Sequence, residues 1–254
     1  MFVLEEFIIL LDIHSHILPA VDDGAKNVDE ALKILEMMKK DGITDVIATP
    51  HFYPDSDNLG EFKSRTQEAY KTLCSAADGK NLPRIFLGCE VLYYRYIGTS
   101  EAIPDFCLNG SRYLLLELTD DCITDSFFED ISDLKNKMGI IPIIAHIERY
   151  YRARSFKKLL KFVKSEHIPT QVNASSFFSP YYSRTAEKLI KKDYVNFLGT
   201  DSHSTDKRPP KMKDALEYIS DKLGTEYASG FIRNSQILLE RLTQEGDCYE
   251  ELNA

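Results

Sequence analysis

The chain is short of cysteine, has no excess of positive charge and lacks any long hydrophobic run. Its five cysteines are Cys74, Cys89, Cys107, Cys122 and Cys248. The count is odd and no two lie close in sequence, which excludes a disulfide scaffold and favours free thiols in a reducing compartment. Lys and Arg total 31 against 40 Asp and Glu, a formal charge of -9. Proteins that bind nucleic acid usually carry a basic face, so no nucleic-acid partner is expected, although bound metal ions would add positive charge that composition omits. No stretch approaches the roughly 18 apolar residues of a membrane span. The opening residues carry Glu5 and Glu6 and only a short apolar run, unlike a secretory signal. The expectation is a soluble, cytoplasmic protein that does not insert into membranes. There is also no linker rich in Gly, Pro or Ser and no internal repeat, so residues 1–254 are read as one domain.

What is present is alternation. Seven short apolar runs, at 7–13, 45–49, 84–89, 113–118, 140–145, 170–172 and 194–199, read as strands, several of them buried on both faces. Helical spacing fills the intervals at 29–41, 58–76, 125–138, 155–166 and 183–192, with one or two more helices from 209 to about 245. Ala31, Leu32, Leu35 and Met38 share one stripe of the first helix, which should stop at Gly42. Seven alternations argue an α/β protein with a parallel sheet. Pattern alone leaves an open doubly wound sheet and a closed barrel both standing.

The six histidines are not scattered. His14, His16, His51, His146 and His203 fall at or just past the carboxyl ends of predicted strands, while His167 precedes a strand at the opposite end. Asp22 and Asp23 follow the first strand, and Glu90, Glu117 and Asp201 end the third, fourth and seventh. In parallel α/β folds this is the face where active sites are built. In His14-Ser15-His16 the two rings project to the same side of an extended chain, and Asp201-Ser202-His203 repeats the arrangement with one oxygen and one nitrogen donor. Nitrogen and oxygen donors without thiolate suit Zn, Fe or Mn. Any one such histidine is more often a hydrogen-bonded core or surface residue; it is the joint pattern that argues a polynuclear metal site. Between Asp22 and Asp23 the pattern does not choose, since either would also serve as a helix cap. Glu148 reads equally as a group supporting the site or as an ion-pair partner of Arg149.

At these residues the sequence resembles the polymerase-and-histidinol-phosphatase (PHP) superfamily. Asp12-Ile13-His14-Ser15-His16 with Val21-Asp22-Asp23-Gly24 resembles its opening motif. Ala48-Thr49-Pro50-His51, Gly88-Cys89-Glu90, Leu116-Glu117-Leu118, Ala145-His146-Ile147-Glu148-Arg149-Tyr150, Gly199-Thr200-Asp201-Ser202-His203 and Lys207-Arg208-Pro209-Pro210 follow in the family's order. The Asp-Asp-Gly turn, His-Ile-Glu-Arg-Tyr and Arg-Pro-Pro are similar to one branch, the bacterial manganese-dependent protein-tyrosine phosphatases of capsule and exopolysaccharide loci. The resemblance implies a distorted seven-stranded, TIM-like (β/α)7 barrel holding three divalent metals, Mn in the first place with Fe, Co or Zn as alternatives. It implies that His14, His16, Glu90 and Asp201 bind the first metal, that Glu90, Glu117 and His146 bind the second, and that Asp23, His51 and His203 bind the third. Arg149 and Arg208 would clamp the phosphate. The implied reaction is hydrolysis of a phosphomonoester by metal-activated water, and the implied partner is a tyrosine-phosphorylated kinase of polysaccharide export.

Two features depart from the branch. The loop 52–60 is acidic and aromatic where relatives carry basic or polar residues, and Glu36 is followed three residues later by Lys39 rather than by the Arg of ring-forming relatives. Other functions compete. Histidinol-phosphate phosphatase and nucleotide phosphoesterase share the superfamily, and a non-catalytic metal-binding regulator would keep some of the ligands. A cysteine-dependent phosphatase would use Cys89 and Arg95, which have the right separation. The residues between them include no Gly and two tyrosines, a poor phosphate cradle, and Glu90 beside the thiol opposes its activation.

Overall fold

The computed structural model describes residues 9–250, with side chains described through residue 244. Its strands are β1 (Leu11–Ser15), β2 (Asp45–Ala48), β3 (His51–Phe52), β4 (Arg84–Leu87), β5 (Glu90–Leu92), β6 (Tyr113–Glu117), β7 (Ile141–Ile144), β8 (Gln171–Asn173) and β9 (Phe197–Gly199). The helices are α1 (Val28–Lys40), α2 (Leu59–Ala77), α3 (Asp125–Lys137), α4 (Phe156–Ser165), α5 (Ser183–Ile190), α6 (Met212–Lys222) and α7 (Thr225–Glu250). The chain is thus an α/β protein, and every strand pair is parallel. Residues 7 and 8 of the first expected strand lie outside the described residues. No helix among those described is long and apolar enough to cross a membrane.

The ladders form three small sheets, ordered β1-β2-β4, β3-β5-β6-β7 and β8-β9, rather than one continuous ladder. Single parallel bridges, Ser15 with Ser202 and Ile144 with Thr170, link the pair β8-β9 to the other two sheets. The second and third expected strands, at 45–49 and 84–89, are each followed after a break by a further short strand, β3 and β5. Pro50, which has no N–H to give a ladder, separates β2 from β3. Gly88 and Cys89 separate β4 from β5. Pairing nonetheless continues across both breaks, through Gly88 N–H to the Ala48 carbonyl (2.9 Å) and Glu90 N–H to the Pro50 carbonyl (3.1 Å). A Cβ on Gly88 would lie 2.6 Å from Leu108 Cδ2 and 3.2 Å from Leu108 Cα, so the crossing packs closely where the residue has no side chain.

Period-two alternation sorts the strand side chains into an inner and an outer layer. Leu11, Ile13, Ile47, Leu115, Ile143 and Phe197 join one inner cluster, closed from the amino-terminal side of the strands by Leu238, Leu239 and Leu242 of α7. Val46, Ala48, Val172 and Leu198 face outward against Ile34, Leu35 and Met38 of α1 and Ala215 and Ile219 of α6. Leu114, Leu116 and Ile144 pack on Phe127, Ile131 and Leu134 of α3 and Leu159 of α4. Helices α1 and α2 are fixed at their starts by side-chain caps. Asn27 accepts from Glu30 N–H at 2.9 Å and Asn58 from Glu61 N–H at 3.1 Å. With apolar groups buried on both faces, what remains for chemistry is the rim where the strands end.

Candidate metal centre

The strand ends bring the candidate ligands into three adjoining groups. His14, His16 and Asp201 form one, His16, Asp23, His51 and His203 a second, and His51, Glu90 and Glu117 a third; within each, one donor atom per residue lies within 4.8 Å of the others. His14 sits in β1 and His16 just beyond it, and their Nε2 atoms are 3.1 Å apart. Glu90 begins β5 at the middle of the cluster. Its Oε2 is 3.0 Å from His14 Nε2, 3.3 Å from His16 Nε2 and 3.1 Å from His51 Nδ1. Its Oε1 is 3.0 Å from His146 Nε2, which lies 3.5 Å from Glu117 Oε1. His16 and His51 therefore join groups other than, or beyond, those the resemblance gave them, and His146 meets Glu90 and Glu117 from outside the tightest grouping.

Two candidates stand on strained backbone. His146 has φ 30° and Asp201 φ 50°, both left-handed and neither glycine. Such conformations cost about 1–3 kcal/mol and persist where their surroundings hold them. Gln171 Oε1 accepts the His146 N–H at 2.8 Å, and the His14 carbonyl accepts the Asp201 N–H at 2.8 Å.

Asp22 and Asp23 divide the work the sequence left open, and neither caps α1, whose cap is Asn27. Asp22 is turned inward. Its Oδ2 is 2.7 Å from His16 Nδ1 and accepts the His51 N–H at 3.1 Å, while Oδ1 accepts the Gly24 N–H at 2.9 Å. This orients the His16 ring with Nε2 toward the cluster. Asp23 is 66% exposed and reaches the cluster from outside, its Oδ1 3.2 Å from His203 Nε2 and 3.6 Å from His51 Nε2.

Several supporting residues escaped sequence reasoning. Gln171 Oε1 also lies 3.3 Å from His14 Nδ1, Asn173 Nδ2 donates to Asp201 Oδ2 at 2.6 Å, and the Tyr150 hydroxyl is 3.0 Å from His146 Nδ1. Gln171 and Asn173, the first and last residues of β8, stand two apart like His14 and His16, but neutral amides at that spacing carry no ligand signature in sequence. Asp12 accepts from the Thr200 N–H at 2.9 Å and from its hydroxyl, tying β1 to the chain leaving β9. Glu148 does not pair with Arg149. Its Oε1 accepts from the Ser176 hydroxyl and the Asn173 N–H. Tyr53, from the unusual loop, stacks on His51 with ring centres 5.0 Å apart.

The electrostatics suit a cation. Burial, then the nearby Arg149, holds His146 down at about 4, and burial with His16 holds His203 at about 3, so both rings are neutral at neutral pH. Burial raises Glu117 to about 7, helped by Glu90. For Glu90 and Asp201 burial works the other way from their neighbours, and His14 leads the groups that hold both carboxylates ionised. Buried Glu90 Oε2, His51 Nδ1 and His203 Nε2 have no hydrogen-bond partner. Unsatisfied buried donors and acceptors are rare and call for an explanation. Neutral imidazoles and ionised carboxylates meeting at such atoms are the donor set a divalent metal takes, so the residues fit one.

Arg149 and Arg208 enter from the rim. Each reaches Asp201 Oδ2, at 2.6 and 2.7 Å, and Arg208 Nη1 lies 3.9 Å from Asp23. The residues set aside stay apart from the cluster. His167 lines a surface cavity with Pro169 and Asn196, on the side where β8 begins. Buried Cys89 directs its thiol to the Pro50 carbonyl, 3.1 Å away, and burial with Glu90 beside it pushes that thiol well up. Arg95 is taken by Asp130 at 2.7 Å.

Parallel sheets with a histidine and carboxylate cluster at the carboxyl ends of their strands define an α/β protein of the metal-centre class. The chain belongs to the capsular polysaccharide synthesis family CpsB/CapC, whose model matches residues 10–240. It is 28% identical over 256 residues to the tyrosine-protein phosphatase CpsB of Streptococcus pneumoniae, covering 92% of this chain and 100% of that protein. It is 27% identical over 242 residues to the tyrosine-protein phosphatase YwqE of Bacillus subtilis, covering 92% and 93%. Among solved structures it is similar to one from work on YwqE from B. subtilis and CpsB from S. pneumoniae, described as metal-dependent tyrosine phosphatases, with TM-score 0.79, 24% identity and coverage of 91% and 95%. A histidinol phosphate phosphatase from Lactococcus lactis, complexed with zinc, L-histidinol and phosphate, shares the fold more distantly, with TM-score 0.52, 16% identity and coverage of 89% and 93%.

Proposed function

We propose that this chain is a metal-dependent protein-tyrosine phosphatase acting on a tyrosine-phosphorylated kinase of capsular or exopolysaccharide synthesis. Family membership and the names of its relatives support the activity. The observation that carries it to these residues is the convergence of Arg149 and Arg208 on Asp201, at the edge of the histidine and carboxylate cluster. We assign His14, His16, Asp23, His51, Glu90, Glu117, His146, Asp201 and His203 as ligands of up to three divalent ions, manganese in the first place. The support is their mutual distances and the lack of thiolate donors. We further read the three sheets as one distorted seven-stranded barrel in a single domain, counting β2 with β3 and β4 with β5. The two isolated bridges support that reading. The free thiols among the described residues are compatible with a cytoplasmic location.

Bound divalent metal supplies Lewis-acid charge and lowers the pKa of water toward neutrality. The protein's own groups do the rest. Arg149 and Arg208 present forked N–H donors to non-bridging phosphate oxygens. Asp22, Gln171 and Tyr150 hold the imidazoles in one orientation. Tyr53 offers a ring at the mouth of the site against which an aryl group can pack. A phenolate leaves more readily than an alkoxide, so an aryl phosphate makes less demand on a general acid.

The test is hydrolysis of a phosphotyrosine peptide by metal-loaded and chelator-treated protein, beside phosphoserine peptide, histidinol phosphate and nucleotides. Chelation should abolish turnover and manganese restore it. Equal rates on phosphoserine and phosphotyrosine, or a preference for histidinol phosphate, would overturn the assignment.

A further inference from the structure

The molecule's charge is unevenly spread. The chain is acidic overall, yet residues 149–192 hold eleven Lys and Arg against two Asp and Glu. Within this segment α4 and α5 enclose a cavity of about 520 Å3. Its floor includes Phe156, Leu160 and Leu189, and its rim carries Lys157 and Lys161 from one side and Lys188 and Lys192 from the other. All four lysines are exposed, and none has an acidic partner among the described residues. Lys157 and Lys161 have i, i+4 spacing within α4, so these like charges sit on one face, where they repel, and Lys192 lies in the turn just past α5. By contrast, the neighbouring Lys158 pairs with Asp125 and Lys164 lies over the Tyr194 ring. Of the two acids adjacent in sequence to rim lysines, Glu187 beside Lys188 is engaged by the Tyr218 hydroxyl at 2.8 Å, and Asp193 follows Lys192 on left-handed backbone with φ 56°.

The groove adjoins the turn that carries Arg149. Tyr151 lines it, and Tyr151 belongs to the 3-10 turn Ile147–Arg152 that also carries Arg149. We propose that this groove is a docking site for an acidic segment of the protein substrate, with acidic side chains on the lysine rim and apolar ones on the floor. The proposal rests on the phosphatase reading for its geometry, since a peptide leaving a phosphotyrosine held by Arg149 passes Tyr151 onto the groove. Charge complementarity selects the occupant. On a chain of net charge -9, an acidic segment is drawn to this basic face, which sets its direction as well as its place. The concave apolar floor suits side chains of a peptide rather than a flat array of lipid headgroups.

The experiment measures binding apart from catalysis. A fluorescein-labelled, unphosphorylated peptide alternating Glu with Leu and Tyr is titrated with the metal-loaded protein, followed by anisotropy at low and high salt. The expected result is binding that weakens with salt, and an affinity reduced by about tenfold or more in Lys161→Glu/Lys188→Glu. Lys161→Ala/Lys188→Ala should show a smaller loss in the same direction. Hydrolysis of p-nitrophenyl phosphate should be unchanged in both. With phosphotyrosine peptides the variants should raise KM for acidic flanks and leave kcat alone. Equal peptide affinity in wild type and variants, absence of peptide binding, or binding only to phosphatidylserine vesicles would overturn the proposal. Lysine-dependent peptide binding by a protein that fails to hydrolyse any aryl phosphate would support the groove while removing the phosphatase reading.

Discussion

Arg149 and Arg208 meet on one atom: their Nη2 groups lie 2.6 and 2.7 Å from Oδ2 of Asp201. Because each reaches that oxygen through Nη2, each guanidinium keeps further N–H donors that Asp201 does not take. A phosphate arriving there can take those donors without first breaking both ion pairs. Lysine keeps the charge but not the fork. Arg149→Lys and Arg208→Lys should each lower kcat/KM by roughly tens to a hundredfold, the cost of about 2–3 kcal/mol for a lost charge-assisted contact. Metal content should be unchanged. Kinetics paired with elemental analysis check this, and a variant that loses metal along with activity would place the arginine's role at Asp201 instead.

The assignment of Glu90 makes a sharper demand. Its two oxygens face four imidazoles, those of His14, His16, His51 and His146. Glu90→Ala should therefore remove more than one metal equivalent, whereas Glu117→Ala should remove at most one. His167→Ala should leave the content at the wild-type level. Metal analysis of purified variants decides the matter, and normal content in Glu90→Ala would contradict its central position.

Thiol chemistry should be dispensable. Burial raises the Cys107 thiol to about 12, and Cys89 is pushed up as well. A raised pKa keeps the sulfur protonated, so the reactive thiolate is scarce at pH 8 and increases only as pH rises toward the shifted value. Cys89 and Cys107 should alkylate far more slowly in the native protein than after unfolding. Cys89→Ser should remain largely active. Mass mapping of iodoacetamide adducts together with the activity of the variant provides the check.

The sequence was most informative where hydrophobic runs and polar donors alternate in phase with the strands. All seven runs contain or adjoin strands, because an outward and an inward apolar layer demand nearly continuous Ile, Leu and Val. The breaks at Pro50 and at Gly88-Cys89 were not legible. They depend on pairing with distant backbone, and the short strands beyond them begin with the polar His51 and Glu90. The 3-10 turns at Ile147–Arg152 and Ala174–Phe178 were likewise missed, since their conformation is set by what Glu148 and Asn173 bond to rather than by propensity. Of the site, the charged donors announced themselves. Gln171, Asn173 and Tyr150 did not, because a neutral amide or a phenol carries no ligand signature until its partner is known.

Asp22 should matter without binding metal. Its carboxylate grips His16 Nδ1 at 2.7 Å and two backbone N–H groups, and His16 draws its pKa down against the effect of burial. Removing a carboxylate that orients a ligand histidine typically costs 10–100-fold in metal affinity or activity. Asp22→Ala should weaken metal binding on about that scale, while Asp22→Asn, which keeps an oxygen for Gly24 or His51, should cost less. Competition with a metal-sensitive dye gives the affinities. Equal losses for Ala and Asn would assign the effect to charge rather than to orientation.

Gly24 closes the turn that presents both aspartates, and the space beside it is already filled. A Cβ there would lie 2.1 Å from the His16 carbonyl oxygen, 2.6 Å from the His16 Cβ and 2.9 Å from Asp22 Oδ1. The first contact is with backbone, which cannot swing aside as a flexible side chain would. His16 O also accepts the Ala25 N–H at 3.0 Å, so relieving the clash opens a hydrogen bond as well. Overpacking of this kind costs about 1–3 kcal/mol, and here the strain falls on the residue that carries a candidate ligand and on the aspartate that orients it. Gly24→Ala should therefore lower thermal stability and metal affinity together. The contrasting control is Gly60→Ala in α2, where the nearest atom to an added Cβ is Asn58 Oδ1 at 3.5 Å. That change meets no clash and replaces glycine in the first turn of a helix, so it should be neutral or slightly stabilising. Calorimetric melting of both variants, with and without added manganese, separates the two effects. A Gly24→Ala protein that melts as the wild type and binds metal equally well would show that the Asp22–Gly24 turn can move independently of His16.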